Sequence, residues 1–239
     1  MTAYDLVISI GEACMCSSNL RKRGLQKFSY PLDWVFGATF AQRIGFVINK
    51  FHRYFEFKDL ISLDRIDHDK YIIKNKYTAL CHNHDFYINQ GSWESQYDKV
   101  KAKYDRRISR LINMLESQHK QKVLIVYIEI PRTADNQHEF IKDKQLTSYI
   151  DELERVYPNK KFNLLYIKHN EEYYPNKFKY EQISKSINKA IIYNRAFKYT
   201  EGWESNNSNI QKVLAHYNIT LKRNILRKIF VLLKIVLGI

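Results

Sequence analysis

Short runs of apolar, β-branched residues alternate along the chain with longer segments in which apolar residues recur every three or four positions. The short runs predict strands at residues 6–10, 71–77, 123–130, 162–167 and 189–193. The periodic segments predict helices at residues 12–20, 40–55, 97–115, 145–157, 181–188 and 209–217. Because a helix between two strands usually joins them in parallel, the alternation predicts an α/β fold: a three-layer, mostly parallel sheet flanked by helices.

Two parts of the chain differ in character. Residues 1–220 contain no internal repeat and no low-complexity linker, so they are predicted to form a single α/β domain. Residues 221–239 read LKRNILRKIFVLLKIVLGI, with five basic residues and no acidic one. At helical spacing their Ile, Leu and Val side chains share one face, which predicts a C-terminal amphipathic helix lying on an anionic membrane surface. The alternative is a helix docked on the core of the same domain.

The chain is strongly basic, since 39 Lys and Arg residues against 25 Asp and Glu residues give a net charge of +14. This charge predicts attraction to phosphate-bearing partners: nucleic acid, anionic lipid or an anionic sugar. Zinc-finger, ribonucleoprotein-motif and glycine-rich phosphate-loop patterns are absent from the sequence, so nucleic acid is not an expected partner and no cofactor is expected.

Three features bear on the compartment. The chain has three cysteines, too few for a disulfide scaffold, which favours a reducing environment. Its first residues lack the basic segment of a signal peptide, and no stretch of about 18 or more apolar residues is present. Together with the basic tail, these features predict a cytoplasmic protein held peripherally at the inner face of the plasma membrane.

The first predicted strand ends at Gly11, and Cys14 follows at the start of the next predicted helix. The dipole and free N–H groups of a helix N-terminus favour a thiolate, which makes Cys14 a candidate nucleophile and the most reactive of the three thiols. The same N–H groups, with the turn at Gly11, are suited to bind an oxyanion. The alternative is that Cys14 is a small buried apolar residue.

A cysteine nucleophile needs a base within hydrogen-bond reach and a third group to orient that base. His84 is the leading candidate, followed by His82, because both belong to a polar His-Asn-His-Asp cluster expected to form a loop lining a cleft. Asp85 or Asp33 is the candidate orienting group. Asp33 follows Pro31 in a predicted turn, so its alternative role is to cap a following helix.

The same region offers ligand types that suit zinc: Cys14, Cys16, Cys81 and His84. Structural zinc sites usually space their paired cysteines by two to four residues, whereas Cys14 and Cys16 are separated by one. No metal is therefore expected.

Three arginines lie close together in the helix predicted at residues 97–115: Arg106, Arg107 and Arg110. Helical spacing places Arg106 and Arg110 on the same side, opposite the apolar face, where they can clamp a phosphate or a carboxylate in a cleft shared with His84. Pairing with surface acids is the alternative. The expected substrate is an anionic small molecule, a glycan or a peptide.

Five spaced motifs resemble a bacterial family of unknown function that is labelled as papain-like cysteine peptidases. They are I-S-I-G-x-x-C at residues 8–14, L-R at 20–21, S-Y-P-x-D-W at 29–34, H-D-F at 84–86 and K-Y-x-R-R-I-x-R at 103–110. The resemblance implies a nucleophile at Cys14 and a histidine at His84. It also implies a link to surface-polysaccharide assembly, because members of that family tend to be found with such genes. A strand followed by G-x-x-C is equally similar to the first block of esterase-type three-layer folds.

Two hypotheses about function follow. The first is a cysteine-dependent hydrolase or acyl transferase that uses Cys14 as nucleophile and His84 as base, acting in bacterial cell-envelope metabolism. The second is a non-peptidase transferase or accessory protein of surface-polysaccharide biosynthesis, which binds an anionic sugar or a lipid-linked intermediate. The first hypothesis requires that Cys14 and His84 approach each other in the fold.

Overall fold

The computed structural model describes residues 2–129, 141–170, 174, 177–193 and 202–222, with the side chains of residues 64–67 and 202–206 left out. The strands are β1 (Thr2–Tyr4), β2 (Leu6–Ser9), β3 (Phe36–Gly37), β4 (Leu60–Asp67), β5 (Lys70–Asn75), β6 (Leu80–Tyr87), β7 (Gln121–Ile128), β8 (Lys160–Asn170), β9 (Phe178–Ser184), β10 (Ile187–Tyr193) and β11 (Ile219–Leu221). The helices are α1 (Ala13–Lys22), α2 (Phe40–Ile48), α3 (Trp93–Glu116), α4 (Asp143–Val156) and α5 (Gly202–His216).

The central sheet has five strands in the order β2-β7-β8-β10-β9. The first four run parallel, and β9 pairs antiparallel with β10 at the edge. Its side chains alternate between two apolar layers. In β2, Ile8 belongs to a core cluster with residues of α2, α3 and α4, whereas Val7 belongs to a second cluster with residues of α1 and α5. The predicted three-layer, mostly parallel α/β fold is confirmed.

A second, antiparallel sheet in the order β3-β6-β5-β4 lies in the chain between β2 and β7. The polar cluster predicted as a loop belongs to β6, the inner strand between β3 and β5. Two steps along β5, from Tyr71 to Ile73, correspond to four steps along β6, from Phe86 to His82. This bulge interrupts the alternation of side chains, because the extra residues of β6 have no partner on β5.

Two helix predictions were wrong in extent or type. Residues 181–188 form the end of β9, a tight turn and the start of β10. Antiparallel pairing satisfies more of the backbone hydrogen bonds of this short segment than an isolated helical turn does. The helix predicted at residues 40–55 ends at Ile48. Lys50, Phe51 and Arg53 then adopt positive φ angles, which a right-handed helix does not allow.

The predicted tail falls almost entirely outside the described residues, so its helix stays a prediction. Leu221 ends β11 and pairs with Tyr4 of β1, and Lys222 forms an ion pair with Asp5 at 2.7 Å. Within the described part of the chain, no helix combines the length and the hydropathy needed to cross a membrane.

Candidate active site

The turn from β2 into α1 lies at the carboxyl ends of the parallel strands, the edge at which open α/β sheets usually bind ligands. Gly11 is required there by close packing, since a Cβ on it would lie 2.6 Å from Cβ of Cys16 and 2.8 Å from the nitrogen of Ile128. Ala13 has a φ of 52°, a strained value for a residue with a side chain. This turn places Cys14 in the first turn of α1.

A buried arginine holds this turn in place. The guanidinium of Arg43, on α2, is fully buried and donates to carbonyl oxygens on two segments. It donates to Gly11 at 2.8 Å and to Ile10 at 3.3 Å, and on the other segment to Val35 at 3.0 Å and Gly37 at 2.6 Å. Arg43 is absent from the predicted site residues, and the signal for it in the sequence was a charged residue in a mostly apolar helical segment.

Cys14 is the half-buried one of the three thiols, whereas Cys16 and Cys81 are buried. Burial raises the pKa of Cys14, although a hydrogen bond from its own backbone N–H lowers it. Burial also raises the pKa of Cys16 to about 12, and its thiol donates to the Val126 carbonyl at 3.4 Å. The Cys14 thiol therefore needs a base to become a nucleophile near neutral pH.

Trp34 and Val35 connect the surroundings of Cys14 with those of His84. The N–H of Ala13 donates to the Val35 carbonyl at 3.1 Å, which brings the start of α1 against this segment. His84 is exposed, and its ring meets the Trp34 ring edge-on with centroids 6.3 Å apart. Among the described residues, no hydrogen bond joins the Cys14 thiol to His84.

Asp33 is buried and supports the loop before Trp34. Its carboxylate accepts from the backbone N–H of Tyr30 at 2.7 Å and from the Gln26 amide, and it lies 3.9 Å from the Arg21 guanidinium. Burial raises the pKa of Asp33 to about 7, although the Tyr30 hydrogen bond lowers it. Asp33 therefore closes a turn back to Tyr30. Its contacts among the described residues include neither the predicted helix cap nor a contact that orients His84.

Asp85 lies beside His82 and not beside His84: its Oδ2 is 3.6 Å from Nδ1 of His82, and both side chains are buried. The Oη of Tyr104, on α3, donates to Oδ2 of Asp85 at 2.6 Å and lies 2.9 Å from Nδ1 of His82. Lys103 Nζ also contacts the Asp85 carboxylate. Burial raises the pKa of Asp85, but His82 and Lys103 outweigh it and hold that pKa well below the usual range.

The side chain of His82 is fully buried, and its Nε2 has no hydrogen-bond partner among the described residues. Burial lowers the pKa of His82 more than Asp85 raises it, so the imidazole is neutral at physiological pH. His82 and Asp85, on the buried side of β6, thus form a network with Tyr104, whereas His84 of the same strand is exposed.

The three predicted arginines point to different places. Arg106 lines a pocket of about 320 Å³ together with Asp85, Lys99 and Lys103. Arg110 instead donates to the Ser29 carbonyl at 3.2 Å and lies over the Phe28 ring, and Arg107 lies over the Tyr104 ring. Neither Arg110 nor His84 lines the pocket of Arg106.

No cluster of three or more His, Cys, Asp or Glu side chains that could hold a metal ion is found in the part of the chain that the structure describes. Cys16, one of the ligand types considered, is instead committed to the Val126 carbonyl.

Residues 5–172 match the family model described as "Putative papain-like cysteine peptidase (DUF1796)". This match covers more than half of the chain and includes Cys14, His84 and the arginines of α3. The chain belongs to this family. At the family level, the description supports a cysteine hydrolase.

A relative of similar length comes from a virus. "Uncharacterized protein R408" of Acanthamoeba polyphaga mimivirus is 27% identical over 240 residues, which cover 90% of this chain and 99% of the relative. No solved structure gives a significant match.

Proposed function

We propose that this protein is a cysteine-dependent hydrolase or acyl transferase in which Cys14 is the nucleophile and His84 the general base. The observation that carries the proposal is the position of Cys14: a half-buried thiol in the first turn of α1, at the carboxyl edge of the parallel sheet. The Trp34–Val35 segment, which contacts both the start of α1 and His84, supports the pairing.

The chemistry is a two-step acyl transfer. His84 takes the proton from Sγ of Cys14 as the sulfur adds to the substrate carbonyl carbon. The N–H groups of α1 that follow Ala13, whose own N–H is bound to the Val35 carbonyl, stabilise the oxyanion. The tetrahedral intermediate then expels the leaving group, which receives the proton from His84. Water, or an acceptor in a transferase, attacks the resulting thioester and releases Cys14.

Trp34 takes the place of an orienting carboxylate in this proposal. Asp85 and Asp33 are bound to other groups, so neither holds the His84 ring. The edge-on contact with Trp34 limits the orientations of the imidazole, and the Trp34 Nε1–H is itself fixed by a 3.2 Å hydrogen bond to Ser29 Oγ.

The test is site-resolved alkylation with iodoacetamide and peptide mapping across pH. We expect Cys14 to react faster than Cys16 and Cys81, and His84→Gln to slow the labelling of Cys14 at neutral pH by about tenfold or more. His52→Gln, which changes another exposed histidine, is the matched control and should leave the rate unchanged. Equal rates at Cys14 in the wild type and His84→Gln, or faster labelling of another cysteine, would overturn the proposal.

A second candidate is a transferase or accessory protein of surface-polysaccharide biosynthesis that binds an anionic sugar or a lipid-linked intermediate. The observation that favours it is the basic side of α3, where Lys99, Lys103 and Arg106 line one pocket. The Cys14→Ala variant separates the candidates, since it abolishes turnover by a cysteine hydrolase and leaves an accessory protein functional.

A further inference from the structure

The pocket lined by Lys99, Lys103 and Arg106 lies between the end of β6 and the first half of α3. These three residues are spaced by four and three positions, so they share one side of the helix. The remaining lining residues are Asp85, Tyr87, Gln90, Gln96 and Val100.

The rim of the pocket is held in a fixed shape. The side-chain amide of Gln96 donates to the carbonyl of Tyr87 at 2.8 Å and accepts from its N–H at 2.9 Å. It also donates to the Gly91 carbonyl at 3.1 Å. Because these bonds fasten the end of β6 to α3, the cavity exists before a ligand binds, which reduces the ordering entropy lost on binding.

The charges that line the pocket are unbalanced. Three cations face one carboxylate, and that carboxylate, on Asp85, is already bound by Lys103 and Tyr104. Within the described residues, Lys99 Nζ contacts the neutral Oε1 of Gln90 at 3.3 Å, and Arg106 makes no ion pair. The lining therefore carries a net charge of about +2 with two cations available to a ligand.

We infer that this pocket binds the phosphate group of a small phosphate monoester, such as a sugar phosphate. A phosphate monoester carries about −1.5 to −2 charges at neutral pH, which matches the net charge of the lining better than a single carboxylate does. Arg106 can bind two phosphate oxygens at once, and Lys99 supplies a point charge. A volume of about 320 Å³ holds a small molecule and excludes a folded partner.

This inference deepens the second candidate function, which rests on the same pocket. The site is independent of Cys14 chemistry, although Asp85 follows His84 directly in β6. Ligand binding at Lys99 and Arg106 requires no thiol, so it can be measured in the Cys14→Ser variant of the full chain. A failure of the phosphate site thus leaves the proposed nucleophile untouched, and a failure of the nucleophile leaves the phosphate site untouched.

The test is isothermal titration calorimetry of the full chain, at about 150 mM salt, with ribose 5-phosphate, ribose and inorganic phosphate as probes. We expect saturable binding of ribose 5-phosphate, about tenfold weaker binding of inorganic phosphate, and no binding of ribose. Lys99→Gln and Arg106→Gln should each weaken ribose 5-phosphate binding about tenfold or more, equivalent to about 1.4 kcal/mol.

Lys101→Gln is the matched control, because it removes one positive charge from another side of the same helix and its residue does not line the pocket. It should change the affinity less than about twofold, and Cys14→Ser should bind like the wild type. Equal losses in Lys101→Gln and Arg106→Gln would show a general charge effect and overturn the site. Equal affinity for inorganic phosphate and ribose 5-phosphate would overturn the assignment of an organic ester.

Discussion

Arg43 shows how one side chain determines the geometry around Cys14. Its guanidinium is buried against backbone carbonyls and binds the turn before α1 to the segment that follows Trp34. A carbonyl that loses such a partner inside a protein keeps the penalty of its lost hydration. Arg43 is therefore a positioning residue for the candidate site, acting through the backbone on both sides of it.

We expect Arg43→Met to lower the free energy of unfolding by about 3 kcal/mol or more, because it removes the donors of several buried carbonyls at once. Urea denaturation monitored by tryptophan fluorescence measures this change. The control is Arg53→Gln, which removes a side chain that is 39% exposed and pairs with Asp59, and it should lower the free energy of unfolding less than Arg43→Met does. Similar losses in the two variants would contradict the positioning role.

At the scale of elements, the bulge in β6 decides which polar side chains are buried. Alternate residues of a regular strand point to one face, so His82 and His84 would share an environment without the bulge. The two extra residues opposite β5 separate them, leaving His82 buried with Asp85 and His84 exposed beside Trp34. The spacing of histidines in the sequence does not reveal this, because a bulge is determined by pairing with another strand.

Replacing Tyr104 measures how much its hydroxyl, on α3, stabilises β6. We expect Tyr104→Phe to lower the free energy of unfolding by about 1–3 kcal/mol, since its hydroxyl joins His82 and Asp85 in a fully buried position. Tyr97→Phe is the matched control on the same helix; it removes one hydrogen bond to the Phe55 carbonyl and should cost about 0.5–1.5 kcal/mol. Thermal denaturation compares them, and an equal or larger effect of Tyr97→Phe would argue against a stabilising network.

At the scale of the whole molecule, residues from the two ends of the described chain stabilise the same layer. β1 pairs with β11, and Asn19 of α1 hydrogen-bonds the side chains of Asn207 and Gln211 of α5. The layer that carries Cys14 on α1 therefore depends on α5, which follows β10 in sequence. Membrane binding by residues 221–239 stays a prediction from the sequence.

The pH dependence of global stability tests the burial of Asp33. Its ordinary pKa is about 3.9, and burial raises the pKa to about 7 in the folded protein. Between these values the folded state binds more protons than the unfolded state, so Asp33 makes stability fall as pH rises from about 4 to about 7, by up to about 1.4 kcal/mol per pH unit. Above about pH 7 its contribution is constant.

We expect Asp33→Asn to remove this dependence, so that the stability of the wild type relative to the variant falls as pH rises toward 7. Urea denaturation at several pH values measures the difference, in which the other titrating groups cancel. Asp151→Asn, an exposed carboxylate on α4, should keep the wild-type profile. Parallel profiles for the wild type and Asp33→Asn would contradict a raised pKa for Asp33.

Local periodicity in the sequence was enough to determine most elements of the central sheet and the place of Cys14. The strand at Leu6–Ser9, Gly11 and the following helix form a continuous segment, so their order and spacing already carry the information. The tertiary structure alone decided that Arg43 holds the turn, that Tyr104 joins Asp85 to His82, and that burial raises the pKa of Cys14. These properties depend on strand register, on a bulge and on exclusion of water, which arise only when distant segments pack together.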